Sequence, residues 1–189
     1  MKKAIMGLVL FSVLLPGCFQ DEQEPASPKW YEPATPANVL RNIAIAFNNC
    51  DGDLLRDMIS DDFVFYFDPS DVGRVVGGNI IPEYWTYDEF REATMNLFSQ
   101  AYSVKLTVDA DHVGEPGAGT ESYYAPEIET FLVVMVDEVS GFSGGSLCDY
   151  EFEAYEGKAG GEFWHLTKWT DKKDPRGDSV GIILAYYAN

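Results

Sequence analysis

An α+β domain is predicted, with helices gathered in the first half of the chain and antiparallel strands in the second. Three observations predict it. Val39, Leu40, Ile43, Ala46 and Phe47 recur at helical spacing on one face. Thr86-Tyr87-Asp88-Glu89 has the form of a capping box at the start of another helix. Further on, Cys148, Tyr150, Phe152 and Ala154 alternate with Asp149, Glu151 and Glu153, the period of a strand with one packed and one wet face.

In chain order, Thr35 followed by Pro36 reads as an N-cap with proline at the first helical position. Asp51-Gly52-Asp53 breaks that helix and caps a second one carrying Leu54, Leu55, Met58 and Ile59. Asp61-Asp62 leads into Phe63-Val64-Phe65-Tyr66-Phe67, an aromatic and β-branched strand that Asp68-Pro69-Ser70 ends. At Thr86 the hydroxyl is placed to take the Glu89 N–H while the Glu89 carboxylate reaches back, and Phe90, Ala93, Thr94, Leu97 and Phe98 continue the third helix. Trp85, just before the cap, is placed to staple onto Phe90. Strands are expected over 104–108, 127–139, 148–155, 162–170 and 180–187, separated by Gly-, Pro- and Asp-containing turns, as an antiparallel meander. Residues 131–136 are apolar on both faces, which fits either a strand central in the sheet with a covered back or a homodimer contact.

The first 34 residues differ in kind. Lys2 and Lys3, an apolar run over 4–15 and a small-residue site ending at Gly17 form a signal sequence, too short to span a bilayer, which takes roughly 20 apolar residues. Leu15-Pro16-Gly17-Cys18 resembles the lipobox of bacterial lipoproteins, with Cys18 as the residue that receives the lipid. That resemblance implies removal of residues 1–17 and a protein held on the cell envelope by its acyl chains, palmitate among them. With Phe19 rather than Asp after the cysteine, it implies the outer membrane, facing the periplasm or the cell surface, in a cell that has one. Residues 18–34 are acidic and proline-bearing, the composition of a tether, and 35–189 read as one globular domain.

The chain carries 13 basic and 31 acidic side chains, a formal net charge of −18, and the leader takes away two lysines and no acid. Such a surface repels phosphate backbones, so no nucleic-acid partner is expected. Asn49-Cys50-Asp51-Gly52-Asp53 fails as a calcium loop, because Phe47 and Met58 stand where an acidic side chain and a bidentate Glu are required. With no CxxC and no HExxH, neither a metal nor a cofactor is expected. Beyond Cys18 only Cys50 and Cys148 remain, and in an exported chain they either pair in a disulfide or stand as two half-buried thiols.

The order of elements, together with Asn38-Val39-Leu40 through Phe47-Asn48-Asn49, Gly52-Asp53-Leu54-Leu55 and Asp61-Asp62-Phe63-Val64-Phe65, resembles the nuclear transport factor 2-like (SnoaL-like) superfamily. Phe163-Trp164-His165-Leu166-Thr167-Lys168-Trp169-Thr170-Asp171 is similar to the ending of its secreted and lipoprotein members. The resemblance implies a cone-shaped, cystatin-like α+β fold in which a curved antiparallel sheet wraps N-terminal helices around a cavity at its wide end. It also implies two kinds of role: binding an envelope ligand or protein, or acid–base catalysis as a lyase, isomerase or hydrolase. A purely structural dimer is the third. No catalytic constellation stands out. Tyr66 and Asp68 close the first strand near the expected cavity mouth and are the best-placed acid–base pair, with His165 behind them. His165 faces away from the core if Trp164 faces into it, and the odd spacing to Trp169 puts the two tryptophans on opposite faces unless a bulge intervenes. Aromatics make up 14% of the chain, and Trp85, Tyr150 and Trp164 are the candidate ligand-binding rings.

Overall fold

The computed structural model describes residues 30–157, 161–174 and 177–188; the signal sequence and Cys18 lie outside them. Helix α1 (Pro36–Asn48) starts where Thr35 accepts the Asn38 N–H at 3.2 Å. It buries Val39, Leu40, Ile43, Ala46 and Phe47. Asp51 caps α2 (Gly52–Met58) by accepting from the Asp53 and Leu54 amides. The chain then enters β1 (Ile59–Tyr66), and a hairpin of β2 (Val75–Val76) and β3 (Asn79–Ile80) follows. Gly77 and Gly78, both at positive φ, make its two-residue turn, a conformation that other residues resist.

Strand β4 (Tyr84–Thr86) runs straight into α3 (Tyr87–Gln100), where the capping box forms as expected: the Glu89 carboxylate accepts the Thr86 N–H at 2.8 Å. Trp85 and Phe90 meet on the ring of Phe65, with centroids 6.1 and 5.6 Å from it. Next come β5 (Ser103–Val108), β6 (Ser122–Met135), β7 (Gly141–Glu156), β8 (Glu162–Thr170) and a last helix, α4 (Val180–Tyr186). The main sheet has the order β4-β1-β8-β7-β6-β5, with α1 packed on β5 and β8, α3 on β1, and α4 on β6, β7 and α3.

Two expectations are corrected. Residues 180–187, expected as a closing strand, form α4 instead. An apolar run of this length has no period to separate strand from buried helix, and its setting decides: Ser179 caps it by accepting the Ile182 N–H at 3.1 Å, and Val180 to Ala185 are all buried. The sheet is also not wholly a meander. Strands β5 to β8 pair antiparallel in sequence, but β1 lies parallel beside β8, joined to it through most of the chain. Boundaries shift too, with β6 ending at Met135 because the Asp137 carboxylate accepts the Val139 and Ser140 amides in a turn.

Bulges bend the sheet. Glu151 pairs with Lys168 while Phe152 pairs with Leu166, so Thr167 is the extra residue of β8, and its hydroxyl donates to the Glu151 carbonyl at 3.1 Å. That insertion turns Trp164 and Trp169 to the same, buried side. A second break in β6, between Ala125 and Ile128, is held by Asp149, which accepts from the Glu127 N–H at 3.0 Å and the Tyr124 hydroxyl at 2.6 Å. Residues 131–135 lie in β6, between β5 and β7, yet Phe131 is exposed, as is Val136 just past the strand's end.

Residues 31–33, expected within the tether, belong to the domain. The Tyr31 N–H donates to Asn42 Oδ1 and the Tyr31 carbonyl accepts from Asn42 Nδ2, both at 2.7 Å, while the Pro33 carbonyl takes the Trp164 N–H at 2.8 Å. Inside, Phe65 touches the rings of Phe67, Trp85, Phe90 and Trp169. Replacing Phe65 with alanine is expected to cost about 3–5 kcal/mol in urea denaturation, because the surrounding rings cannot close the void. A loss under about 1 kcal/mol would show that this cluster is not the centre of the core.

Candidate functional site

The concave side of the sheet carries a group of buried polar side chains at the end nearest α4. Asp171, immediately after β8, is buried, and its Oδ2 accepts the Gly181 N–H in the first turn of α4 at 2.8 Å. Its other oxygen faces the Cys148 thiol, which donates to it across 3.8 Å. Tyr150, one inward step along β7, shares a 2.7 Å hydrogen bond with Thr130 of β6. Trp169 borders Cys148, and its buried indole N–H has no hydrogen-bond partner. Above them Ser146 accepts the Val180 N–H at 3.1 Å, and Ser179 donates to the buried Asp71 at 2.9 Å. Asp71 in turn binds Arg74 at 2.6 Å.

Burial sets the protonation here. It raises the Asp171 pKa to about 6, against hydrogen bonds from Ser146, the Gly181 N–H and Ser179 that lower it. Burial likewise pushes the Cys148 thiol and the Tyr150 phenol up, so both stay protonated at neutral pH. The group is therefore a carboxyl poised near neutrality beside a thiol, a phenol and an indole N–H, a set able to hold a proton or bind a polar group. As described it is closed: α4 covers it with Ile182, Ile183 and Leu184, and the aromatic rings of β1, α3 and β8 fill the remainder.

The residues singled out in the sequence do not converge on this group, with the exception of Tyr150 and Cys148. Tyr66 faces away from the core, its ring 5.1 Å from the Lys168 ammonium. Asp68 is a turn residue that accepts from the Ser70 amide and hydroxyl and from the Lys173 N–H at 2.8 Å. Burial opposes its ionisation, but these hydrogen bonds and the Lys173 charge prevail and lower its pKa. His165 stacks on Tyr155 on the outer face at 5.0 Å, and burial lowers its pKa against the charges of Glu153, Asp62 and Asp61. Thus Tyr66, Asp68 and His165 form no acid–base pair. Trp85, Tyr150 and Trp164 are all buried in the packed interior, which corrects their assignment as ligand-facing rings. Cys50 and Cys148 are not joined in a disulfide: one sits at the α1–α2 turn, the other deep in β7.

Asp171, Thr130, Ser146, Ser179 and the Trp169 N–H were missed by sequence reasoning. Asp171 precedes two lysines and reads as an ordinary turn acid; only the fold of α4 over it makes it buried. No cluster of His, Cys, Asp and Glu able to hold a metal occurs among the described residues.

Neither a protein-family model nor a curated protein matches the chain. Solved structures do. A protein with a cystatin-like fold from Caulobacter vibrioides aligns with a TM-score of 0.50 at 9% identity, over 73% of this chain and 86% of that one. A conserved protein from Planctomyces limnophilus gives 0.50 at 16% identity, over 72% and 91%. A nuclear transport factor 2-like protein from Rhodospirillum rubrum gives 0.49 at 13%, over 73% and 97%. At such identities the likeness is one of fold alone. The chain has the cystatin-like α+β fold, with helices packed against a curved mixed sheet.

The raised pKa of Asp171 has a definite sign. The folded chain keeps this proton between about pH 4 and pH 6, where the unfolded chain has lost it, so this group's contribution to stability falls as pH rises through that window. Asp171→Asn removes the titration while keeping an acceptor for the Gly181 N–H. Urea denaturation at pH 4, 5.5 and 7 is expected to show wild type losing on the order of 3 kcal/mol relative to the variant. An offset that stays constant with pH would remove the buried charge from the account.

Proposed function

We propose that this protein is a binding module of the bacterial cell envelope, held to the membrane by lipid on Cys18 and recognising its partner on the outer surface of the domain. One observation carries the binding half: the concave side is occupied by α4 and by packed aromatic rings, while the hollow lined by Trp30, Asp57 and Tyr155 is open to solvent. The anchor rests on Lys2-Lys3, the apolar run and Leu15-Pro16-Gly17-Cys18. No helix among the described residues is long and apolar enough to cross a membrane.

In a bacterial host, the full chain is expected to enter the detergent phase on Triton partitioning and to carry a diacylglycerol adduct. Cys18→Ala is expected to move to the aqueous phase and lose the adduct; retention of both would remove the anchor. For the module, in-cell cross-linking of the full chain is expected to trap a discrete adduct. No adduct, combined with measurable turnover of a small substrate by the purified protein, would replace the module with an enzyme.

The enzyme reading has its own support in Asp171, Tyr150 and the unpartnered Trp169 N–H beneath α4. It requires α4 to withdraw. Hydrogen exchange decides: an accessible interior gives fast exchange at residues 182–186, whereas exchange only through global unfolding keeps the interior shut and sinks catalysis there.

A further inference from the structure

The outer face of β7 and β8 carries a second feature, at the end of the strands remote from α4. Trp30, Glu32, Asp57, Met58, Tyr155 and Phe163 line an open hollow of about 700 Å³. Three separate stretches meet there: the segment entering α1, the end of α2, and the paired residues Tyr155 and Phe163. Trp30 is 59% exposed, far more than the other tryptophans, which are buried. Tyr155 is fixed by rings on both sides, with Phe163 at 6.1 Å and His165 at 5.0 Å, so its position does not depend on a ligand.

The charged side chains that line the hollow, Glu32 and Asp57, are both acidic. Among the described residues, no lysine or arginine lines the hollow. Asp57 and Tyr155 line the same hollow, and burial, and after it the Asp57 charge, raises the Tyr155 pKa. Glu153, Asp61 and Asp62 act on the neighbouring His165. Arg56 touches Asp57 at 3.4 Å but is held more closely by Asp53 at 2.9 Å. Electron-rich ring faces beside carboxylates favour a cation that can lie flat on a ring and donate hydrogen bonds at its edge. A hollow of this size takes a short stretch of chain rather than a single ion.

We propose that this hollow binds an arginine- or lysine-bearing segment of a partner protein, with the cationic side chain against Trp30, Tyr155 and Phe163 and its charge met by Asp57 and Glu32. The proposal rests on the binding-module reading and names the surface and the chemistry of the partner. It uses the outside of the sheet, apart from the buried group around Asp171.

Trp30 is a built-in reporter, since the other three tryptophans are shielded from solvent. The probe is the blocked peptide Gly-Arg-Gly-Arg-Gly, with a twin in which citrulline replaces each arginine and keeps the shape without the charge. Titrated into the full chain in detergent, the arginine peptide is expected to change tryptophan emission saturably, and the citrulline twin to bind at least about 10-fold more weakly. Asp57→Asn is expected to weaken binding about 5-fold, and Tyr155→Leu by a similar factor. Asp137→Asn, which removes the same charge from the turn at the far end of β7, is expected to stay within about 2-fold. Equal binding of the two peptides, no saturable signal, or equal losses in Asp57→Asn and Asp137→Asn would each overturn the proposal, the last by reducing it to net charge. Such a failure leaves the module itself standing, because that reading falls on the cross-linking result and not on this peptide.

Discussion

The carboxylate of Asp171 under the first turn of α4 is the contact around which the molecule is arranged. It joins the end of the last strand to the helix that follows it, and that helix packs over β6, β7 and α3. The fit leaves no room for side chains at two glycines. A Cβ at Gly181 would stand 2.6 Å from Asp171 Oδ2 and 2.9 Å from the Phe67 ring. One at Gly144 would stand 2.7 Å from the Asp178 and Ser179 carbonyls. Polar ties complete the seat: the Gly145 N–H donates to the Asp178 carbonyl at 3.0 Å, and Asn79 Nδ2 donates to the Ala185 carbonyl at 3.3 Å. The arrangement carries a cost, since a carboxylate taken out of water is penalised unless hydrogen bonds replace its hydration. Here an amide, hydroxyls and a thiol replace part of it.

Curvature follows from a few irregular residues. Thr167 in β8 and Glu127 in β6 each insert an extra residue, and each is held by a hydrogen bond, to the Glu151 carbonyl and to Asp149 respectively. Lys172 reaches the same Asp149 at 2.6 Å, so the bend of β6 is coupled to the segment that carries Asp171. Without the bulge at Thr167, Trp169 would leave the core and its ring contacts with Phe65, Phe90 and Tyr150 would be lost. The sheet therefore wraps the helices because particular side chains stabilise the breaks in its ladder.

A filled interior changes which surfaces can act. In an open cone a ligand would compete with water; here it would compete with Ile182, Ile183 and Leu184, already packed and paid for by the burial of α4. Outer-face features gain importance accordingly. The aromatic, acidic hollow near Trp30 lies where the chain enters the domain, so whatever binds there does so beside the segment that leads back to Cys18.

How much of this was legible in the sequence follows the distance over which each interaction acts. The caps at Thr35, Asp51 and Thr86 involve partners two or three residues away, so they could be read directly, as could the alternation along β7 that separates Tyr150 from Glu151. Residues 180–186 could not: an unbroken apolar run carries no period, and the burial of 180–185 beneath its Ser179 cap made it a helix. The faces of Trp164 and Trp169, the burial of Asp171, the parallel pairing of β1 with β8 and the meeting of Trp30 with Tyr155 and Phe163 depend on contacts between segments far apart in the chain. Local chemistry alone determined where helices begin and which strand faces are wet. Only the tertiary structure decided what fills the cone, because that choice is made by packing among residues that the sequence does not place side by side.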